Sequence, residues 1–179
     1  MKSLASQLTQ YASYHRDKRN IATHFIGIPM IVVGLAVLLS RPSVTIGDMV
    51  VSPALIVIFL SSVYYLILDM RLGMALTIFL AFSLMFGQAI AASSTSEWLI
   101  WGSGLFIIGW VFQFVGHYWE GQKPAFVDDM MGLIIGPLFV ATEAAFLLGL
   151  RKELQSEIES VVGPSLMKVK PEVPSSATK

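Results

Sequence analysis

Four stretches of this chain, 20–40, 49–68, 72–96 and 98–119, run for 20 residues or more without a charged side chain. A helix rises about 1.5 Å per residue, so about 20 such residues cross a hydrocarbon core of about 30 Å. All four stretches meet that length. Only 13% of the 179 residues are charged and 55% are hydrophobic, with a mean hydropathy of +0.69. A soluble domain of this size needs more polar surface than that, so the membrane class leads. The expected fold is all-α, a polytopic membrane helix bundle with four firm transmembrane helices. A fifth block, 130–150, is long enough to span but carries Glu143 and the pair Gly136-Pro137, which suits a kinked or re-entrant segment.

The expected division is a membrane-embedded domain over 1–150, with spans near 21–40, 49–68, 72–93, 98–118 and 130–150, and a polar, disordered tail over 151–179. No cleavable signal peptide is expected, because the first twenty residues are polar and no small-residue cleavage site follows the first apolar run. Leu4, Leu8, Tyr11 and His15 recur on one stripe, the pattern of an interfacial amphipathic helix ahead of the first span. Lys2, Arg16, Lys18 and Arg19 outweigh the basic residues of the first and third connections, which predicts a cytoplasmic N-terminus. Gly102, Gly109 and Gly116 share a face of the fourth span and predict close packing against another helix. Asp69 and Arg71 mark a membrane surface, and Asp128 and Asp129 a solvated loop.

The chain has no cysteine, which excludes disulfides, thiolate metal sites, cysteine nucleophiles and iron–sulfur clusters. A net charge of zero offers nothing to nucleic acid. Histidine and carboxylate remain as strong metal ligands, and there are three histidines: His15, His24 and His117. With four crossings, the start of the first span and the end of the fourth lie on one membrane face, so all three can meet. On one continuous helix His15 and His24 would point about 180° apart, so sharing an ion requires a break between them. The polar run RDKRN supplies the place, with Asn20 as N-cap of the following span or as the group that orients the His24 imidazole. In FQFVGHYWEGQKPA, residues Gln113, His117 and Glu120 share one helical face. That face presents either metal ligands with an orienting amide, or an interfacial histidine and glutamate within an aromatic belt. Glu143, at mid-depth of the fifth block, is either a site group or a structural hydrogen-bonding partner. Three imidazoles with a carboxylate suit Fe(II), Zn(II) or Mn(II), and spacing does not choose among them. The zinc-protease pattern HExxH is absent.

The segments YHRDKRNIATHFIGIP, FQFVGHYWEGQKPA and GPLFVATEAAFLLG stand in the same order as in one known family. Over about Tyr11 to Leu150 the chain resembles the family of the fungal endoplasmic-reticulum 2-hydroxy fatty acid dioxygenase, which has many bacterial members. The resemblance implies a catalytic membrane domain that uses Fe(II) and dioxygen to shorten a 2-hydroxy fatty acid by one carbon. That reaction is fatty-acid α-oxidation, a step in long-chain-base degradation. It implies His15, His24 and His117 as iron ligands, and Glu120 as a further ligand or a base beside them. Asn20, Gln113 and Lys123 match the pattern. Lys123 and Arg19 are candidates to pair with the substrate carboxylate. The expected surroundings are membrane lipids, in a bacterial inner membrane or the endoplasmic reticulum. The alternatives are a non-enzymatic metal-binding membrane protein or carrier, and an intramembrane zinc hydrolase.

Overall fold

The computed structural model describes residues 3–124 and 131–167. Among these are seven helices: α1 (Leu4–Ala12), α2 (Lys18–Ser40), α3 (Pro53–Leu68), α4 (Met70–Ala91), α5 (Thr95–Glu120), α6 (Met131–Leu147) and α7 (Lys152–Val162). One hairpin, β1 (Val44–Ile46) with β2 (Met49–Val51), turns at Gly47, whose φ is 61°. The protein is an all-α membrane bundle. Phe59, Ile67, Ile78, Phe82 and Ile100 are among the many large apolar side chains on its outer surface, as a lipid solvent requires.

Three helices, α2, α4 and α5, are both long and apolar enough to cross a membrane. The expected second span is shorter than its apolar block. Residues 49–51 are drawn into the hairpin, and Ser52 caps a helix of 16 residues, about 24 Å long. On length and composition three helices qualify by themselves, or four if α6 and α7 form one broken span, and α3 is a shorter apolar helix packed between α2 and α4. In the fifth block, α6 runs unbroken through Gly136-Pro137, and the bend comes after Leu147, where α7 turns away at 114°. Residues 152–162 of the expected tail are helical, and α7 lays Leu154 and Ile158 into the core beside α1. Residues 168–179, like the Asp128-Asp129 pair, lie outside the described residues.

The hub is the antiparallel pair α2 and α5, the most extensive helix contact in the protein. Glycines face each other across it. A Cβ on Gly109 would stand 2.7 Å from the Gly27 carbonyl oxygen, and one on Gly102 would strike Leu38. On the other side, a Cβ on Gly34 would lie 2.7 Å from the Phe106 backbone nitrogen. The stripe read at Gly102, Gly109 and Gly116 thus meets a second stripe at Asn20, Gly27 and Gly34, also spaced by seven. Small residues bring backbones together where lipid provides no hydrophobic drive between helices. The consequence is positional, because the start of α2 and the end of α5 are held at the same end of the bundle.

Polar side chains inside the helices are largely spent locally. Ser40, Ser83 and Thr142 each donate to the carbonyl four residues back. Asp69 caps α4 and pairs with Arg151 at 2.7 Å, fastening the α3–α4 turn to the start of α7.

Gly109→Ala should lower the unfolding midpoint of the detergent-solubilised protein, by overpacking worth about 1–3 kcal/mol. Gly104→Ala, on the same helix with nothing within 4 Å of the added Cβ, should leave the midpoint unchanged or raise it.

Candidate metal centre

Where α1 hands over to α2, the chain breaks between Ser13 and Asp17. The cap of α2 is Asp17, whose side chain accepts from the Arg19 amide at 2.8 Å, so the expected cap at Asn20 is corrected by three residues. The break turns His15 back against the first turns of α2. From the other side, α5 ends at Gly121 in the left-handed region, φ 72°, which leaves His117 and Glu120 in its last turn. His15, His24 and His117 are all buried, and one nitrogen from each lies within 4.8 Å of the others.

Their hydrogen bonds decide which nitrogens carry protons. His15 Nδ1 lies 2.8 Å from the Tyr11 carbonyl oxygen, and His24 Nδ1 lies 2.8 Å from the Asn20 carbonyl oxygen. A carbonyl only accepts, so both Nδ1 atoms hold hydrogen and both Nε2 atoms, when neutral, are bare lone pairs. Those two Nε2 atoms stand 2.9 Å apart. Burial, then the neighbouring His24, pushes the His15 pKa well below its ordinary value, so a proton shared between the rings is disfavoured. His117 is bonded to the backbone of Gln122, and its Nδ1 has no hydrogen-bond partner among the described residues. His15 and His24 are thus each oriented by a backbone carbonyl, and one nitrogen from each of the three rings lies near a common point. This is the arrangement by which histidines are prepared as metal ligands. Three neutral imidazoles fit a borderline divalent ion such as Fe(II) or Zn(II).

Glu120 is 3% exposed and lies beside this cluster. Its Oε2 accepts from the backbone amides of Arg16 at 3.0 Å and Asp17 at 2.8 Å, and from Asn20 Nδ2 at 3.0 Å. The carboxylate therefore holds the loop that carries His15 and the helix turn that carries His24. Asn20 orients His24 through its backbone carbonyl, while its amide serves Glu120. Tyr11 stacks on His15, with ring centroids 4.2 Å apart and an interplanar angle of 3°, and Phe139 of α6 closes against both rings. Leu166 pairs with the same loop from outside. Its amide donates to the Arg16 carbonyl at 2.9 Å, and its carbonyl accepts from the Lys18 amide at 3.1 Å.

A cleft of about 300 Å³ opens from His24 and His117 along α2, lined by Ile28, Leu35, Trp110 and Pro137 among others. Gln113 lines it too, and its amide nitrogen has no acceptor among the described residues. Lys123 is exposed and adjoins Pro124, a lining residue of the same cleft. Arg19 is turned elsewhere, its Nε and Nη2 on the Asp17 carboxylate at 3.0 and 2.7 Å and its guanidinium over Trp119. Glu143 lies 3.9 Å from Arg16, outside the histidine cluster.

The sequence pattern named the three histidines, Glu120, Gln113 and Asn20, and the structure brings these six together. It did not single out Phe139, the Tyr11 carbonyl or the Arg16 and Asp17 amides. For Tyr11 a signal existed: Tyr11–His15 has the i, i+4 spacing already noted at Asn20–His24. Backbone amides carry no such mark.

Residues 1–148 match the family described as "2-hydroxy-palmitic acid dioxygenase Mpo1-like". The chain is also 30% identical over 158 residues to the "2-hydroxy-palmitic acid dioxygenase MPO1" of Saccharomyces cerevisiae, an alignment covering 87% of each protein. No solved structure matches the chain.

His15→Ala, His24→Ala and His117→Ala should each abolish stoichiometric metal in anaerobically purified protein, measured by elemental analysis. Glu120→Ala should retain helical content but lower metal affinity by about 10–100-fold, the usual cost of removing a group that orients ligands.

Proposed function

The chain belongs to the 2-hydroxy-palmitic acid dioxygenase Mpo1-like family, and on that premise we propose that it is a membrane-embedded Fe(II)-dependent dioxygenase of 2-hydroxy fatty acids. The observation that carries this reading is the set of three buried imidazoles with bare nitrogens converging at the head of an apolar cleft. His15, His24 and His117 would hold the metal. Bound there, Fe(II) would supply the stepwise electron transfer to dioxygen that a closed-shell organic acid does not undergo by itself.

The chain's own residues supply the rest. A three-histidine set leaves positions for exogenous ligands, and a 2-hydroxy acid offers two oxygens on adjacent carbons. The Gln113 amide would donate to one of those oxygens, a role supported by its nitrogen having no acceptor among the described residues. Lys123, beside the cleft lining at Pro124, would pair with the carboxylate, and Arg19 is held by Asp17. Glu120 acts as a positioning residue, since its Oε2 is taken up by the loop amides and Asn20. The apolar walls receive the alkyl chain and keep water from the reacting head group.

The reaction balances without an external reductant. One 2-hydroxy acid and one dioxygen give the acid shorter by one carbon, carbon dioxide and water. The bond between the carboxyl carbon and the hydroxyl-bearing carbon breaks, and the latter becomes the new carboxyl. This is α-oxidation, and its substrates are of the kind released when long-chain bases are degraded. With the N-terminus cytoplasmic, the metal end of the bundle faces the cytoplasm.

Purified protein supplied with Fe(II), dioxygen and 2-hydroxypalmitate should release the fifteen-carbon acid and carbon dioxide, with dioxygen consumed in equal amount. Gln113→Ala should lower turnover while retaining iron. Activity restored by zinc without dioxygen would replace this reading with the zinc hydrolase. Iron bound, with no product from any 2-hydroxy acid, would refute the substrate class.

A further inference from the structure

A second cleft, of about 220 Å³, lies between α2, α3, α4 and α6. It shares Val32, Leu35, Leu133 and Pro137 with the cleft at the histidines, so these four side chains form a common wall. One continuous stripe of α2 serves both clefts, beginning at His24 and ending at Leu39. From His24 to Leu39 the helix rises about 22 Å, of which the part beside the first cleft, to Leu35, takes about 16 Å. That shorter length is close to a single leaflet, half of a hydrocarbon core of about 30 Å.

The two clefts differ in chemistry. Among the described residues, ionisable groups line the first only at its histidine end, and no charged or histidine side chain lines the second. The Tyr65 hydroxyl, at the far side of the second cleft, is already spent on the Ile134 carbonyl at 2.7 Å. What extends from the first cleft into the second must therefore be apolar and elongated.

We propose that the two clefts are one acyl-binding site and that the wall of Val32, Leu35, Leu133 and Pro137 sets how chain length is read. Tails about one leaflet long end in the first cleft, and longer tails pass the wall toward Ser61 and Tyr65 of α3. The occupant is the alkyl chain of the substrate, which rests on the reading of the head-group site given above. The proposal assigns the second cleft a function of its own as the subsite for the end of very long chains.

Ser61 is half-buried and small, so Ser61→Phe fills the second cleft without touching the histidine end. In this variant kcat/KM for a twenty-four-carbon 2-hydroxy acid should fall about tenfold or more relative to 2-hydroxypalmitate, whose own value stays unchanged. A second measurement needs no turnover. Metal-free wild-type protein is photolabelled with 2-hydroxy acids carrying a diazirine at the terminal carbon, and the label is located by peptide mass spectrometry. A twenty-four-carbon probe should mark α3, and a sixteen-carbon probe α2 and α5. An unchanged preference in Ser61→Phe, with label confined to α2 and α5 at every chain length, would overturn the joined site and leave the dioxygenase reading intact. Label on α3 with no turnover of any 2-hydroxy acid would do the reverse.

Discussion

The close approach of α2 and α5 is the constraint from which the rest of the molecule follows. Two glycine faces let the backbones come so near that a single added carbon at Gly27 or Gly109 would collide with the opposite chain. Because the helices are antiparallel, the contact fixes the height of His117 against that of His24 along the bundle axis. A slip by one helical turn would move one ring about 5.4 Å past the other and scatter the three nitrogens. At Gly116 the same close approach leaves room for Thr23 and Asn20, and through Asn20 it places the amide that Glu120 accepts from.

Glu120 then converts helix packing into loop geometry. A segment such as residues 13–17, with no intrinsic secondary structure, would sample many conformations at a cost of about 1–2 kcal/mol per residue when ordered. Two of its amides are held by one carboxylate, and Leu166 pairs with the same loop on its outer side. Asp17 adds the helix cap, and Arg19 closes on Asp17. His15 is thereby held by contacts from α1, α5 and Leu166, although it belongs to no helix. The stacking of Tyr11 on its ring adds to the hold from α1, and Phe139 extends it into α6.

This division explains which parts could be read from the residues alone. Apolar length and the seven-residue glycine spacing are local properties, so the bundle and its tightest interface were visible. So was the meeting of the histidines, which follows from antiparallel connectivity. The hairpin at Val44–Val51 was hidden because Met49, Val50 and Val51 are as apolar as the helix they precede. The pairing with residues 44–46, not hydropathy, decides where α3 begins. In the polar tail, RKELQSEIES suits a helical extension, but α7 buries only Leu154 and Ile158, too sparse an apolar content to announce that it packs against the bundle. The clamp at Glu120 depends on main-chain amides 103 and 104 residues away, a contact that side-chain chemistry does not announce.

Polar groups left without partners point the same way. In a low-dielectric interior an unpaired polar atom costs about 1–3 kcal/mol, and helices in a membrane normally satisfy such groups internally. Ser40, Ser83 and Thr142 do so through their own helices. Of the buried side-chain atoms that find no partner among the described residues, Asn20 Oδ1, Gln113 Nε2 and His117 Nδ1 all fall at the histidine end of the bundle. Arg41 Nη1 and Thr77 Oγ1 are the other two, so the histidine end holds three of these five atoms, two acceptors and a donor. The His15 and His24 Nε2 atoms stand 2.9 Å apart in the same cluster. A divalent cation relieves the imidazoles, and an oxygen-bearing ligand relieves the Gln113 amide. Neither alone would relieve both, so the imidazoles and the Gln113 amide would be satisfied together only by a metal accompanied by an oxygen-bearing ligand.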